Sequence, residues 1–298
     1  MRRKLSLSAA ALIKAVGWER ALEVLAESGY EGIDFSLGSF DYANCDVDEE
    51  YLRKFKAKAD SLGIAIQQTH GHLGRNPLGK LLWSQDEESK EYFVKIRERD
   101  LRATAILGAE MCVIHSGSEG PFGPLSSDPE ELHKANLDGF TSIVPFAEKY
   151  NVKICLESFG RNARDGVQLF SWPEEMLKSY EAIPTKNKCF CMDTGHTHEA
   201  VEFGTPSVED FIRAMGSRIE CLHIHDNFGY YDDHALPGFG NINWPEVFKA
   251  LDEVGYKGYY NFELGYARMG CMIEEFVRFS GKYLRTFLDM DGDLRKGM

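Results

Sequence analysis

Four short stretches of the chain each end an apolar run on a group that can hold a cation or move a proton. They are "ICLESFG" with Glu157, "KCFCMDTG" with Asp193, "IECLHIHD" with His223 and "YYNFELG" with Glu263. Carboxylates and neutral imidazoles are good ligands for divalent metals. Two Glu, one Asp and one His make a hard, oxygen-rich set suited to Mn2+, Zn2+, Mg2+ or Co2+. A glutamate flanked by Cys155 and Leu156 is costly to bury without a cation. Any one of these carboxylates alone is explained as well by a salt bridge or a surface position. Asp193 before Thr194-Gly195 also reads as a capped turn. Only convergence of all four points to chemistry.

The histidines point the same way. Of nine, only His133 sits in a helical pattern. The other eight are His70, His72, His115, His196, His198, His223, His225 and His234, all at or just beyond the ends of apolar runs. Packing explains eight such rings poorly, because each buried imidazole needs its own partners. In "CLHIHDN" strand alternation puts His223 and His225 on one side and Asp226 on the other. His223 lies deeper and is the expected ligand. His225 lines the pocket or orients a partner, and Asp226 is either a loop cap or a site group.

The elements that must position these residues form a regular series. Eight apolar runs, at 4–10, 32–38, 63–69, 111–117, 152–160, 188–195, 219–226 and 259–265, alternate with helical patterns. The first strand is expected over Leu5–Ala10, and a last helix over about residues 273–290. Eight strands each followed by a helix predict an α/β chain: a single (β/α)8 TIM barrel with a parallel eight-stranded core, one domain over residues 1–298. A doubly wound sheet fits less well, because the first turn is not glycine-rich. In a barrel the carboxyl ends of all strands share one face, and strands 5 to 8 are neighbours, so the four candidates meet. The longest loop, 70–87, holds Gly71, Gly74, Pro77, Gly79 and Trp83 and is read as a lid or a plain surface excursion. Phe35, Trp172, Phe228 and Tyr230 lie in or near the same loops, where an aromatic ring stacks on a sugar or packs in the core.

Composition narrows the partners. A net charge of −13 with no Lys/Arg run disfavours nucleic acid. No window approaches a membrane span. The start, "MRRKLSLSAAALIKAVGWER", is broken by Lys14 and continues as an amphipathic helix rather than a signal peptide. Seven cysteines without disulfide or zinc-knuckle spacing fit a reducing, cytoplasmic compartment. A homo-oligomer stays open.

With "LESFG", "DTGH", "HIHDN", "DDHALPGFGNINW" and "FELG" in this order, the chain resembles the xylose isomerase-like barrel superfamily, over nearly its whole length. That superfamily contains sugar isomerases and epimerases and the apurinic-site endonucleases. The epimerase resemblance implies one divalent metal on Glu157, Asp193, His223 and Glu263, with the two glutamates as the acid/base pair. It also implies that His196 binds substrate, with His70, His225, Trp172 and Phe35 as further substrate contacts. The endonuclease resemblance implies three zincs, with His70, His115, His196, Asp232 and His234 as additional ligands. The chain departs from the endonucleases in charge and in lacking loops rich in Arg and Lys. It departs from the epimerases in a fifth strand ending "ES" and in having no Arg over 222–248.

Two main readings follow. The first is a metal-dependent isomerase or epimerase of a ketose or related polyol, working through an enediolate with the glutamate pair as acid and base. The second is a phosphoester hydrolase with two or three zincs. A barrel that only binds sugar or metal is a third. The absence of Lys and Arg over 222–248, with Asp232 and Asp233 adding negative charge, favours a non-phosphorylated sugar.

Overall fold

The computed structural model describes residues 2–39, 46–73, 83–117, 128–160 and 169–290. Eight strands alternate with helices: β1 (Lys4–Ser8), β2 (Gly32–Ser36), β3 (Ala65–His70), β4 (Met111–Ile114), β5 (Lys153–Glu157), β6 (Lys188–Asp193), β7 (Ile219–His223) and β8 (Tyr259–Phe262). All ladders are parallel, and the order is β7-β6-β5-β4-β3-β2-β1-β8. Just past β7, the Ile224 amide donates to the Asn261 carbonyl at 2.8 Å and the Ile224 carbonyl accepts from Glu263 at 3.1 Å. Those bonds close the ring, so this is the expected (β/α)8 barrel.

The helices are α1 (Ala10–Val16), α2 (Trp18–Glu27), α3 (Glu49–Ser61), α4 (Glu87–Leu107), α5 (Pro129–Ser142), α6 (Val144–Tyr150), α7 (Pro173–Ala182), α8 (Thr194–Ala200), α9 (Val208–Met215), α10 (Trp244–Glu253) and α11 (Ile273–Asp289). Alternation sorts each strand into two faces. On β5, Ile154 and Leu156 join the large core under the helices, whereas Cys155 belongs to a separate inner cluster with Met111, Val113, Cys189, Cys191 and Cys221. The buried cysteines thus act as small hydrophobes filling the barrel lumen. Across the lumen the lining is polar, with Ser6, Asp34, Gln68 and Asn261 all buried.

Several details differ from the sequence reading. The first strand ends at Ser8, and Ala10 already opens α1. Gly17, at φ 82°, separates α1 from α2. The long pattern over 129–150 is two helices broken at Ile143, with a proline in the first turn of α6. Residues 74–82 of the expected lid, with Gly74, Pro77 and Gly79, lie outside the described residues. Trp83 is core: its ring sits 4.5 Å from Phe93 and 5.2 Å from Phe140. Among the described residues no helix is long and apolar enough to cross a membrane.

Candidate metal centre

Glu157, Asp193 and His223 are the last residues of β5, β6 and β7, and Glu263 follows β8 directly. Their ligand atoms all lie within 4.8 Å of one another. His223 Nδ1 is 2.7 Å from Glu157 Oε1, 3.1 Å from Glu263 Oε2 and 3.9 Å from Asp193 Oδ2. The first three residues are buried, while the Glu263 side chain keeps 29% exposure and so opens toward solvent.

Two further sets flank this group. On one side, Glu157 Oε2 faces His115 Nε2 at 2.7 Å and His70 Nε2 at 3.7 Å. On the other, His225 Nε2 lies 3.0 Å from Asp193 Oδ1 and 3.7 Å from Asp232 Oδ1. Asp232 Oδ2 is 3.0 Å from His234 Nε2 and 3.6 Å from His196 Nε2. Backbone carbonyls orient three of these rings. The Nδ1–H of His70 donates to Gly71, that of His196 to Ser158 and that of His234 to Glu263. Each Nε2 is thereby turned inward, a common way of presenting a ligand nitrogen.

The electrostatics match an incomplete cation site. Among the described residues no Lys or Arg pairs with Glu157, Asp193, Asp232 or Glu263; imidazoles alone face them. Burial pushes the Glu157 carboxyl up, but His115 and His223 hold it well below the usual range. Asp193 is lowered against its burial by His196 and His225. Burial opposes charge on His70, yet Glu157 draws it up to about 9; Asp232 does the same for His234, also to about 9. His196 is raised well above its ordinary value, against burial, by Asp193 and Asp232. Burial lowers His115. Protons thus sit where a divalent cation could sit. Glu157 Oε2 and His225 Nδ1 are buried without a hydrogen bond. The donor set, its inward geometry and these unsatisfied atoms fit a metal.

"DTGH" resolves into two roles for one aspartate. Asp193 caps α8, accepting from the His196 amide at 2.7 Å through Oδ1, and also faces the histidines. Gly195 lies under the His225 ring, where a Cβ would come within 1.9 Å of Cε1. Asp226 is the loop cap: it accepts from the amides of Asn227, Gly238 and Ile242 and from Trp244 Nε1.

Six of the eight expected histidines converge. His72 does not; it lies past β3 with its amide bonded to Asp100. His198 turns to Asn241 at 2.6 Å. Phe35 is corrected: it is 1% exposed and packs on Phe55 of α3 at 4.8 Å, so it cannot stack on a substrate. Its neighbour Asp34 takes the inward face instead, as alternation requires. Trp172 is half-buried at the N-terminus of α7. Phe228 and Tyr230 are exposed after β7. Sequence reasoning missed Asp34 and Gln68, which both reach His223. A lone Asp inside the apolar "GIDFSLG" was the available signal, because burying it demands a partner.

A parallel barrel carrying a His/Asp/Glu cluster at the carboxyl ends of its strands defines a class of protein. The chain belongs to the xylose isomerase-like TIM barrel family, whose model matches residues 16–282. An inosose isomerase of Bacillus subtilis is 30% identical over 45% of this chain and 48% of its own. A probable endonuclease 4 of Acholeplasma laidlawii is 22% identical over 59% of this chain and 60% of its own. This chain therefore spans about half to three fifths of those relatives. The crystal structure of IOLI protein with a bound zinc atom superposes with a TM-score of 0.76 at 19% identity, over 99% of this chain and all of that one.

Proposed function

We propose that the chain is a divalent-metal-dependent sugar isomerase or epimerase acting on a ketose or related polyol. One observation carries the reading: ligand atoms of Glu157, Asp193, His223 and Glu263 gather within 4.8 Å at the open end of the barrel. A cation held by these four residues supplies Lewis acidity to a carbonyl beside a hydroxyl. The chain's own groups do the proton work. Glu263, partly exposed, takes the carbon-bound proton on one side of the substrate. Glu157, buried opposite it, returns one. His196, His70, His225 and Trp172 hold the substrate around them. The isomerase named among the relatives supports this choice.

A second reading, a multi-zinc phosphoester hydrolase, is favoured by the flanking sets on His70, His115, His196, His225, Asp232 and His234. The charge of −13 opposes its nucleic-acid form. Metal analysis together with a ketose panel separates the two: one metal and a sugar product support the first, three zincs and phosphatase activity the second. Within the first reading, Glu157→Gln or Glu263→Gln at saturating metal should slow exchange of the substrate proton with solvent deuterium by about 10²-fold or more. Parent-like exchange in both variants overturns the glutamate pair.

A further inference from the structure

His223 differs from the other inward histidines. His70, His196 and His234 anchor Nδ1 on a backbone carbonyl and present Nε2. His223 presents Nδ1 to the carboxylates, and its Nε2 points into the barrel lumen, where side chains receive it. Gln68 Nε2 lies 2.9 Å from it and Asp34 Oδ2 3.4 Å.

These two residues close a ring of hydrogen bonds across five strands. Gln67 Nε2 donates to Gln68 Oε1 at 2.8 Å and to Ser6 Oγ at 3.3 Å. Ser6 donates to Asn261 Oδ1 at 2.9 Å, Asn261 Nδ2 to Ser8 Oγ at 3.1 Å, and Ser8 to Asp34 Oδ2 at 3.3 Å. Strict alternation would send Gln67 and Gln68 to opposite faces. The register shift between β2 and β3, where Ile33 pairs with Ile66 but Asp34 with Gln68, leaves Gln67 as the extra residue and brings both amides into the ring.

The ring has a direction, and that direction decides what His223 Nε2 can do. The Gln67 donation fixes the Gln68 amide with its nitrogen toward His223. Gln68 therefore offers a donor, and Asp34 is the acceptor in reach. Asp34 also keeps Oδ1 buried without a hydrogen bond. A His that gives its Nδ1 lone pair to a cation must carry its proton on Nε2. We propose that Asp34 is the positioning residue of the centre: it accepts the Nε2–H of His223 and so holds Nδ1 free to ligate. This rests on the metal-dependent reading above, and it gives Asp34 a role without direct contact to the cation.

The test uses zinc as the probe, with two readouts that do not depend on turnover. Zinc affinity is measured by competition with a chromophoric chelator, and the His223 tautomer by 15N NMR of histidine-labelled protein. Zinc-loaded parent should show His223 ligated through Nδ1 and protonated at Nε2. Asp34→Ala should weaken zinc binding by about 10–100-fold, the usual effect of losing an outer partner. Asp34→Asn, which keeps a carbonyl acceptor, should recover most of the affinity. Parent-like affinity and tautomer in Asp34→Ala overturn the proposal, as does Nε2 ligation in the parent, which decides the matter even where the alanine variant does not fold. Zinc binding indifferent to Glu157→Gln and Glu263→Gln would instead overturn the metal centre itself.

Discussion

Replacing Gly195 by Ala sets helix propensity against packing, and the geometry says which wins. Gly195 lies inside the first turn of α8 without a positive φ, so alanine can adopt its backbone. Propensity alone predicts a gain of up to about 1 kcal/mol. The new Cβ, however, would sit 1.9 Å from His225 Cε1, 2.2 Å from Nδ1 and 2.7 Å from Nε2, where ordinary contact is 3.4–4 Å. The ring must retreat by about 1.5 Å, the difference between 3.4 and 1.9 Å. It has no slack. Its Nε2 is 3.0 Å from Asp193, and its other face stacks on His234 at 4.1 Å. Overpacking of this kind costs about 1–3 kcal/mol, so the net expectation is a loss of up to about 2 kcal/mol.

For a chain of this size that corresponds to roughly 2 °C in Tm per kcal/mol. Scanning calorimetry without metal reads the loss directly. The sign decides more than the size: a Tm that rises in Gly195→Ala refutes the packing argument and leaves propensity in charge. A double-mutant cycle with His225→Ala isolates the cause. Once the ring is gone, the Gly195→Ala cost should vanish or reverse. Zinc affinity should fall in the single variant, because the ring that moves lies against Asp193 and Asp232.

Three other outcomes can be checked on the same preparations. Stripping metal with a chelator should lower Tm by several degrees, since a ligand at 100 times its Kd contributes about 2.7 kcal/mol. The metal-free protein should lose stability as pH rises: His70 and His234, raised to about 9 in the fold, contribute stability fully present below 6.5 and lost as pH rises through 9, visible as a falling Tm across that window. Asp226→Ala removes an acceptor from three amides and the Trp244 indole, and should cost about 3 kcal/mol or more, with Trp244 fluorescence reporting a loosened loop; a loss within about 0.5 kcal/mol would contradict the capping role.

The sequence made the strand ends legible because burial penalises what they carry. An apolar run that stops on Glu157 or Asp193 announces either a turn or a partner, and in a barrel those stops share one rim. It did not make the inner partners legible. The ring through Gln68, Gln67, Ser6, Asn261, Ser8 and Asp34 draws on four strands besides that of His223, and its register depends on one extra residue in β3. Such a shift leaves no mark in a period-two pattern. Phe35 shows the opposite failure. Nearness to the rim suggested a stacking role, while alternation against Asp34 already required it to face the helices. His72 and His198 show that position beyond a strand end does not fix where a side chain points. The short α8 escaped notice because "THEA" carries no apolar period; its cap, Asp193, was visible as a cap.

Glu157 ties the number of cations to the chemistry. Its Oε1 faces His223, and its Oε2 faces His115 and His70. With the central set alone occupied, Oε2 keeps its freedom to carry a proton, and the two glutamates can share the work. With the His70–His115 side filled as well, both oxygens of Glu157 are committed, and proton transfer falls to Glu263. The two occupancies therefore differ in a measurable asymmetry. Under the first, Glu157→Gln and Glu263→Gln slow proton exchange alike once metal occupancy is matched. Under the second, Glu263→Gln abolishes exchange, whereas Glu157→Gln acts through lost metal and recovers as metal is raised. The same carboxylate thus decides between a sugar isomerase with one cation and a hydrolase with several, and the exchange data read that decision directly.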